Sequence, residues 1–277
     1  MLKIQCVGYR MIEYKKIDLK DRRKVVEYLL KNKSENALLL YDLESLYPKE
    51  VDFLLALNEE QHLAGLNLVW FGVPSAPSIH LRADDPNIAD GLIGKINYNK
   101  NFRIILPRIF STNVENRFKN YVCKDNLYFM TLDLDSKFTS CENYDSHLNT
   151  RRLSNDDKLK VERLFSGSTD TDKGLERWVM SSLDKEIIFG CFDDNELCSL
   201  GGTLFQYENI AMIGNVFTKK EKRGRGLAIN VLISLIKYLS EYKFEELQLY
   251  AVENGPAHRL YQKLGFKEKK KYTRFII

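Results

Sequence analysis

One stretch of the sequence concentrates residue types that could bind a charged ligand. Val216-Phe217-Thr218 ends a strand-like run, a short charged loop follows, and Arg223-Gly224-Arg225-Gly226-Leu227-Ala228 opens a strongly amphipathic helix. Glycines let a backbone approach a ligand closely. The first amides of a helix lack internal acceptors, and the helix dipole favours negative charge there. A phosphate or diphosphate is the natural guest of such a turn, and Arg223 and Arg225 would add charge-assisted donors. The pattern is neither a Walker loop nor a GxGxxG fingerprint, and taken alone it is better explained as an ordinary basic surface turn.

Other chemistries find less support. His62, His80, His147 and His258 have no HxxxH or HExxH spacing, so no metal is expected. No serine sits in GxSxG, which argues against a hydrolase triad. The five cysteines (Cys6, Cys123, Cys141, Cys191 and Cys198) are odd in number, scattered and without a CxxC, the usage of reduced thiols in a cytoplasmic protein. Lys and Arg total 42 against 38 Asp and Glu, a net charge of +4. That balance excludes a polybasic tail, and nucleic-acid binding through the Arg/Lys turn is the weakest of the readings. No apolar run approaches the ~18 residues of a membrane span, and MLKIQCVGYR lacks the features of a secretory signal.

Downstream of the turn stands Asn254-Gly-Pro-Ala257-His-Arg-Leu-Tyr261-Gln-Lys-Leu-Gly265-Phe266. Together the two stretches resemble the GNAT family of CoA-dependent N-acetyltransferases. The first matches its R/Q-x-x-G-x-G/A signature and the second its N-x-x-A-x-x-x-Y-x-x-x-G-F. The resemblance covers Leu148–Ile277 and implies acetyl-CoA as co-substrate. It implies that backbone groups of Val216 and Thr218 pair with the pantetheine arm and that amides from Arg223 to Ala228, Gly224, Gly226 and Leu227 included, cradle the diphosphate. Asn254 would bond the pantetheine region, Ala257 would leave room for it, and Tyr261 would stand near the thioester sulfur as general acid. Without the surrounding motif, Tyr261 reads as a core aromatic beside Leu260 and Leu264.

This chemistry is self-consistent. An amine attacks the thioester and expels a thiolate whose conjugate acid has a pKa near ~8.5, so no covalent nucleophile is required. A tyrosine can supply the proton, and the strand amide at Val216 or Phe217 could stabilise the oxyanion. The family often draws its base from an acid on or near its fourth strand. Here Ile210–Thr218 contains none, and Glu208 and Glu253 are the nearest carboxylates, each equally readable as an ordinary solvated acid.

The elements that must position these groups form a repeated series. Alternation, helical spacing and turn residues give β-α-α-β-β-β-α-β-α-β from Ile12 to Leu134 and again from Leu148 to Ile277. The expected fold class is α/β (α+β), with two tandem GNAT-like domains, each a mixed, mostly antiparallel sheet flanked by helices. The domain plan is an N-terminal extension over 1–11, disordered or weakly docked; a degenerate GNAT-like domain over 12–135; a linker over 136–146; and the acetyltransferase domain over 147–277. In the first half the place of the Arg/Gly turn is taken by ADDPNIADGLIG, where Asp84 and Asp85 would repel a diphosphate and Pro86 removes an amide. Lys267–Arg274 (KEKKKYTR) reads as an exposed edge strand guarded by lysines or as a contact for the CoA 3′-phosphate or an acidic partner.

The resulting functional expectation is an N-acetyltransferase acting on a primary amine of a small molecule or peptide. The alternative is a non-catalytic CoA-binding sensor or interaction module.

Overall fold

Each amphipathic stretch of the sequence forms the element its spacing predicts, and their order repeats. A computed structural model describes residues 4–7, 10–72, 77–97, 101–134, 148–166 and 170–277, with the side chains of 4–7, 10 and 170–172 left aside. The linker expected at 136–146 lies outside the described residues. The chain divides into two compact units, one of residues 1–129, 251–253 and 269–277, the other of 130–250 and 254–268.

The first series runs β1 (Ile4–Val7), β2 (Arg10–Lys16), α1 (Arg22–Leu30), α2 (Lys33–Tyr41), β3 (Val51–Leu57), β4 (Leu63–Trp70), β5 (Ser78–Ala83), α3 (Pro86–Gly94), β6 (Arg103–Pro107), α4 (Ser111–Arg117) and β7 (Cys123–Asp133). The second runs β8 (Asn149–Arg152), α5 (Lys158–Leu164), α6 (Asp170–Ser182), β9 (Ile188–Asp193), β10 (Glu196–Tyr207), β11 (Ile210–Thr218), α7 (Leu227–Glu241), β12 (Glu246–Val252), α8 (Pro256–Lys263) and β13 (Lys267–Ile276). With β1 set aside, both halves show the ten-element order expected from the sequence.

In the first unit the strands follow the order β1-β2-β3-β4-β5-β6-β13. Neighbours are antiparallel except β5 and β6, which run parallel. On one face α3 buries Ile88, Leu92 and Ile93 with Ile79 and Leu81 of β5. Side chains alternate along a strand, so Arg82 points to the opposite face, where it donates to Asn36 of α2.

Within the N-terminal extension, β1 pairs with β2 from Ile4↔Glu13 to Val7↔Arg10. One expectation is corrected in this unit: the lysine-rich final strand is not a free edge, since Tyr272 to Ile276 pair antiparallel with Pro107 to Arg103 of β6. The lysines occupy its exposed first half, while Tyr272 and Phe275 are fully buried.

The second unit orders its strands β12-β11-β10-β9-β8, with β11 and β12 parallel and the other pairs antiparallel. Val161, Leu164 and Phe165 of the α5 region and Val179 of α6 pack with Leu197 and Leu200 on one face. Gly201, on the opposite side of β10, faces Val231 of α7. Val231, Leu232, Leu235, Ile236 and Leu239 of α7 are all fully buried. At roughly 1.5–3 kcal/mol per buried aliphatic side chain, this face fixes α7, and with it the turn that precedes α7.

An ion pair with a buried carboxylate and a half-exposed arginine sets the α5 end of the same face. Ser154 and Asp157 form a capping box, and Arg151 clasps the buried Asp157 carboxylate through two hydrogen bonds. Arg151 and then Lys160 hold that carboxyl well below the ordinary range.

Candidate functional site

β11 and β12 share three parallel pairs, Ile210↔Glu246, Ala211↔Leu247 and Met212↔Gln248, and the register stops there although β11 continues to Thr218. The cause is local. Against β10 the register moves from Gly202↔Gly214 to Leu200↔Phe217, so β11 carries one extra residue, and Asn215 adopts a positive φ of 54°. Such a bulge bends and twists its strand, which turns the end of β11 away from β12.

The backbone beyond the bulge faces this opening. Lys219 N–H donates to the Cys198 carbonyl at 3.0 Å, which makes 219 and 198 a hydrogen-bonded pair across β11 and β10. Bonding alternates along an antiparallel pair, so Phe217 also faces β10 and Thr218 turns its N–H and C=O the other way. The Arg223 Nε donates to that Thr218 carbonyl at 3.1 Å.

The turn itself depends on two left-handed residues. Gly224 has φ 76° and Gly226 φ 78°, conformations that L side chains rarely adopt. Gly226 caps α7 with no side chain, and its carbonyl accepts from both the backbone N–H and the Nδ2 of Asn230 at position four. The amides of Leu227, Ala228 and Ile229 precede any intrahelical acceptor.

The arginines behave differently from the sequence expectation. Besides the Arg223 contact with Thr218, Arg225 donates to Asp193 Oδ2 at 2.9 Å, and Lys222 reaches the same oxygen at 3.0 Å. These cations hold the Asp193 carboxyl below its usual range, Lys222 contributing most. Both arginines therefore brace the turn against β9 and β11.

At the start of α8, Asn254 is exposed and left-handed, φ 60°. Its N–H donates to His258 Nδ1 at 3.2 Å, and its carbonyl accepts from Arg259 at 2.8 Å. The buried His258 places Nε2 2.8 Å from Glu268 Oε1. Because Nδ1 accepts, Nε2 carries the proton and donates to Glu268. Ala257 is exposed on the first turn of α8. Tyr261 is buried, packed edge-on to Phe266 at 5.8 Å, and burial pushes its hydroxyl up to about 12.

The two candidate bases stand just before β11 and just after β12, as the sequence places them. Glu208 lies in the β10–β11 turn with φ 50°, next to the Tyr207↔Ile210 pair, at the end of β11 where the strand is paired rather than open. Glu253 follows β12 and belongs to the first unit, where Arg108 NH1 lies 3.1 Å from its Oε2. The Arg108 hydrogen bond holds its carboxyl below the usual range. Among the described residues no three His, Cys, Asp or Glu side chains gather as a metal site, and no helix is long and apolar enough to cross a membrane.

Val216 to Thr218 and Arg223 to Ala228 are thus contiguous through one strand, one turn and one helix, and Asn254, Ala257 and Tyr261 lie on a second element of the same unit. Asn215, Asp193, His258 and Glu268 were not singled out from sequence. The Asn254-x-x-x-His258 spacing, one helical turn, is a local signal that could have found one of them; Asp193 and Glu268 have none.

Comparisons with known proteins bear on the fold. Residues 188–275 match the FR47-like protein family. No curated protein matches the chain by sequence. An X-ray structure of a Drosophila protein superposes with a TM-score of 0.69 at 11% identity, covering 95% of this chain and 98% of that one. A GCN5-related N-acetyltransferase from Sphaerobacter thermophilus gives 0.67 at 14% identity, covering 96% and 95%. A tandem GNAT protein from the clavulanic acid biosynthesis pathway gives 0.61 at 10%, covering 96% and 98%. Residues 188–275 are thus similar to the FR47-like family, and the chain as a whole shares the fold of these two-domain structures.

Proposed function

We propose that the protein is an acetyl-CoA-dependent N-acetyltransferase that acetylates a primary amine of a small molecule or peptide. The observation that carries this reading is the opening of β11 from β12 directly ahead of a left-handed glycine turn and the bare N-terminus of α7. The open strand suits an extended pantetheine arm, with the backbone of Val216 and Thr218 as its partners. The amides from Arg223 to Ala228 suit the diphosphate, and a Cβ at Gly226 would be strained there. Asn254 and Ala257 would flank the arm, one as donor and one as a small side chain that leaves room.

When bound, acetyl-CoA supplies an activated acyl carbonyl. The amide of Val216 would meet the charge developing on its oxygen, since the Phe217 backbone faces β10. Tyr261, with its hydroxyl protonated to about pH 12, would offer a hydrogen bond to the departing sulfur. A thiolate of pKa near ~8.5 leaves without full proton transfer. With Glu208 at the paired end of β11 and Glu253 held by Arg108, the attacking ammonium would lose its proton to water.

The placement of Glu208 and the Arg108 pairing of Glu253 favour the second reading, a CoA-binding module without turnover. A thermal melt with acetyl-CoA tests both, because a ligand that binds only the folded state raises the melting temperature; no shift would sink both. Free-thiol release across a panel of amines then separates enzyme from sensor.

A further inference from the structure

His258 sets a polar ring in a buried position. It is 4% exposed and is the third residue of α8, whose cap Gly255 offers no side chain. A polar group in such a place is unfavourable unless it is hydrogen-bonded, and both ring nitrogens are. Nδ1 accepts from the Asn254 N–H at 3.2 Å, and Nε2 lies 2.8 Å from Glu268 Oε1. The same Glu268 oxygen accepts from Gln262 Nε2 at 3.0 Å. His258 and Gln262 stand one helical turn apart, so Glu268, at the start of β13, straps one face of α8.

The strap has a chemical consequence at its far end. Glu268 accepts at Nε2, which fixes the ring proton there and leaves the lone pair at Nδ1. That lone pair takes the Asn254 N–H. The Asn254 carbonyl is held from α8 as well, by Arg259 at 2.8 Å. Both backbone groups of Asn254 are therefore fixed while its φ is 60°, a left-handed value that few residues other than glycine adopt. Asn254 itself is exposed, so its side-chain amide stays open to a ligand.

We propose that His258 is a positioning residue for coenzyme recognition and that Glu268 sets its tautomer. Together they hold Asn254 in the left-handed turn that presents its amide to the pantetheine arm. This role presupposes Asn254 as a ligand of that arm, the reading proposed above. A histidine that only filled space under α8 would act through packing. This one acts through a single acceptor atom, Nδ1.

Calorimetry of acetyl-CoA with the whole chain tests the role. Asn254→Gly keeps the left-handed backbone and removes the amide, so affinity should fall about tenfold, the effect of one hydrogen bond. His258→Leu should lose about the same factor. The double variant should be no weaker than either alone, because both changes remove one contact, whereas independent losses would multiply to about a hundredfold. His258→Asn, whose side-chain oxygen can stand where Nδ1 stands, should recover affinity to within about threefold of wild type. Glu268→Met, at a partly exposed position, keeps the ring and frees its tautomer, and should lose about threefold. Circular dichroism checks that each variant folds; if His258→Leu does not, Glu268→Met decides, and unchanged affinity there overturns the role. Unchanged affinity in a folded His258→Leu, additive losses in the double variant, or His258→Asn as weak as His258→Leu would overturn it while leaving acetyl-CoA binding in place. No binding of acetyl-CoA to the wild-type chain would overturn the coenzyme reading itself, and this role with it.

Discussion

The β5–α3 and β11–α7 segments make the same turn with opposite chemistry. In each, a parallel pair ends after three residues and a helix begins beyond the longer strand. At α3 the cap is Asp85, whose carboxylate occupies the first-turn amides, and Pro86 follows it. At α7 the cap is Gly226, which has no side chain. The opening therefore belongs to the fold, and the proposed hold on a diphosphate would depend on what stands at the cap and the first turn. The arginines that mark the turn in sequence serve it indirectly, by fixing its shape.

The sharpest way to break this comparison is to make α7 resemble α3. Gly226→Asp puts a carboxylate at the cap and strains a left-handed residue; acetyl-CoA affinity measured by calorimetry should fall about a hundredfold, or about 2.7 kcal/mol. Retained affinity would show that the amides of α7 are not the anion site. Tyr261→Phe probes the second unit alone. Turnover should drop about a hundredfold with little change in acetyl-CoA affinity, and the wild-type rate should show no alkaline limb from this residue below pH about 12.

The two units should also differ in their response to pH. In the first, burial and then Glu50 push Asp42 up to about 8. An acid whose folded pKa is raised stabilises the fold below its unfolded pKa of ~3.9, and that stability is lost as pH rises through about 8. The slope is of order 1 kcal/mol per pH unit, and Asp42→Asn should flatten it in chemical denaturation. Asp157 in the second unit is depressed by Arg151, so its contribution holds above pH ~4 and is lost on acidification; Arg151→Met should lessen that acid loss. The smallest effect is expected at α3. Asp85→Ala should cost about 1 kcal/mol as a lost cap and yet create no acetyl-CoA affinity, because Pro86 and Asp84 remain.

What was legible in the sequence was what depends on near neighbours. The glycine turn, the apolar face of α7 and the Asn254-to-Phe266 pattern each lie within one or two elements, and their periodicity shows without partners. What was hidden depends on distant residues. Arg225 reads as a cation awaiting an anion because Asp193 is far from it in sequence. Glu253 reads as a solvated acid because nothing local reveals Arg108. β13 reads as an edge because its lysines are visible and its pairing with β6 is not. The β11 bulge is hidden for another reason, since Asn215 takes a positive φ that any of several residue types could have taken or avoided.

The pairing of β13 with β6 also bears on how the chain folds during synthesis. Domains generally form as units from the N-terminus as they emerge from the ribosome, but here the first unit lacks a strand that is translated after the second unit is complete. Glu35 meets Lys270 across 235 residues of chain. Until then β6 presents an unpaired edge and Glu35 and Arg82 lack their closing partners, so the nascent first unit would need either shielding by a chaperone or delayed collapse. A stalled or prematurely terminated chain would damage first the unit made earliest.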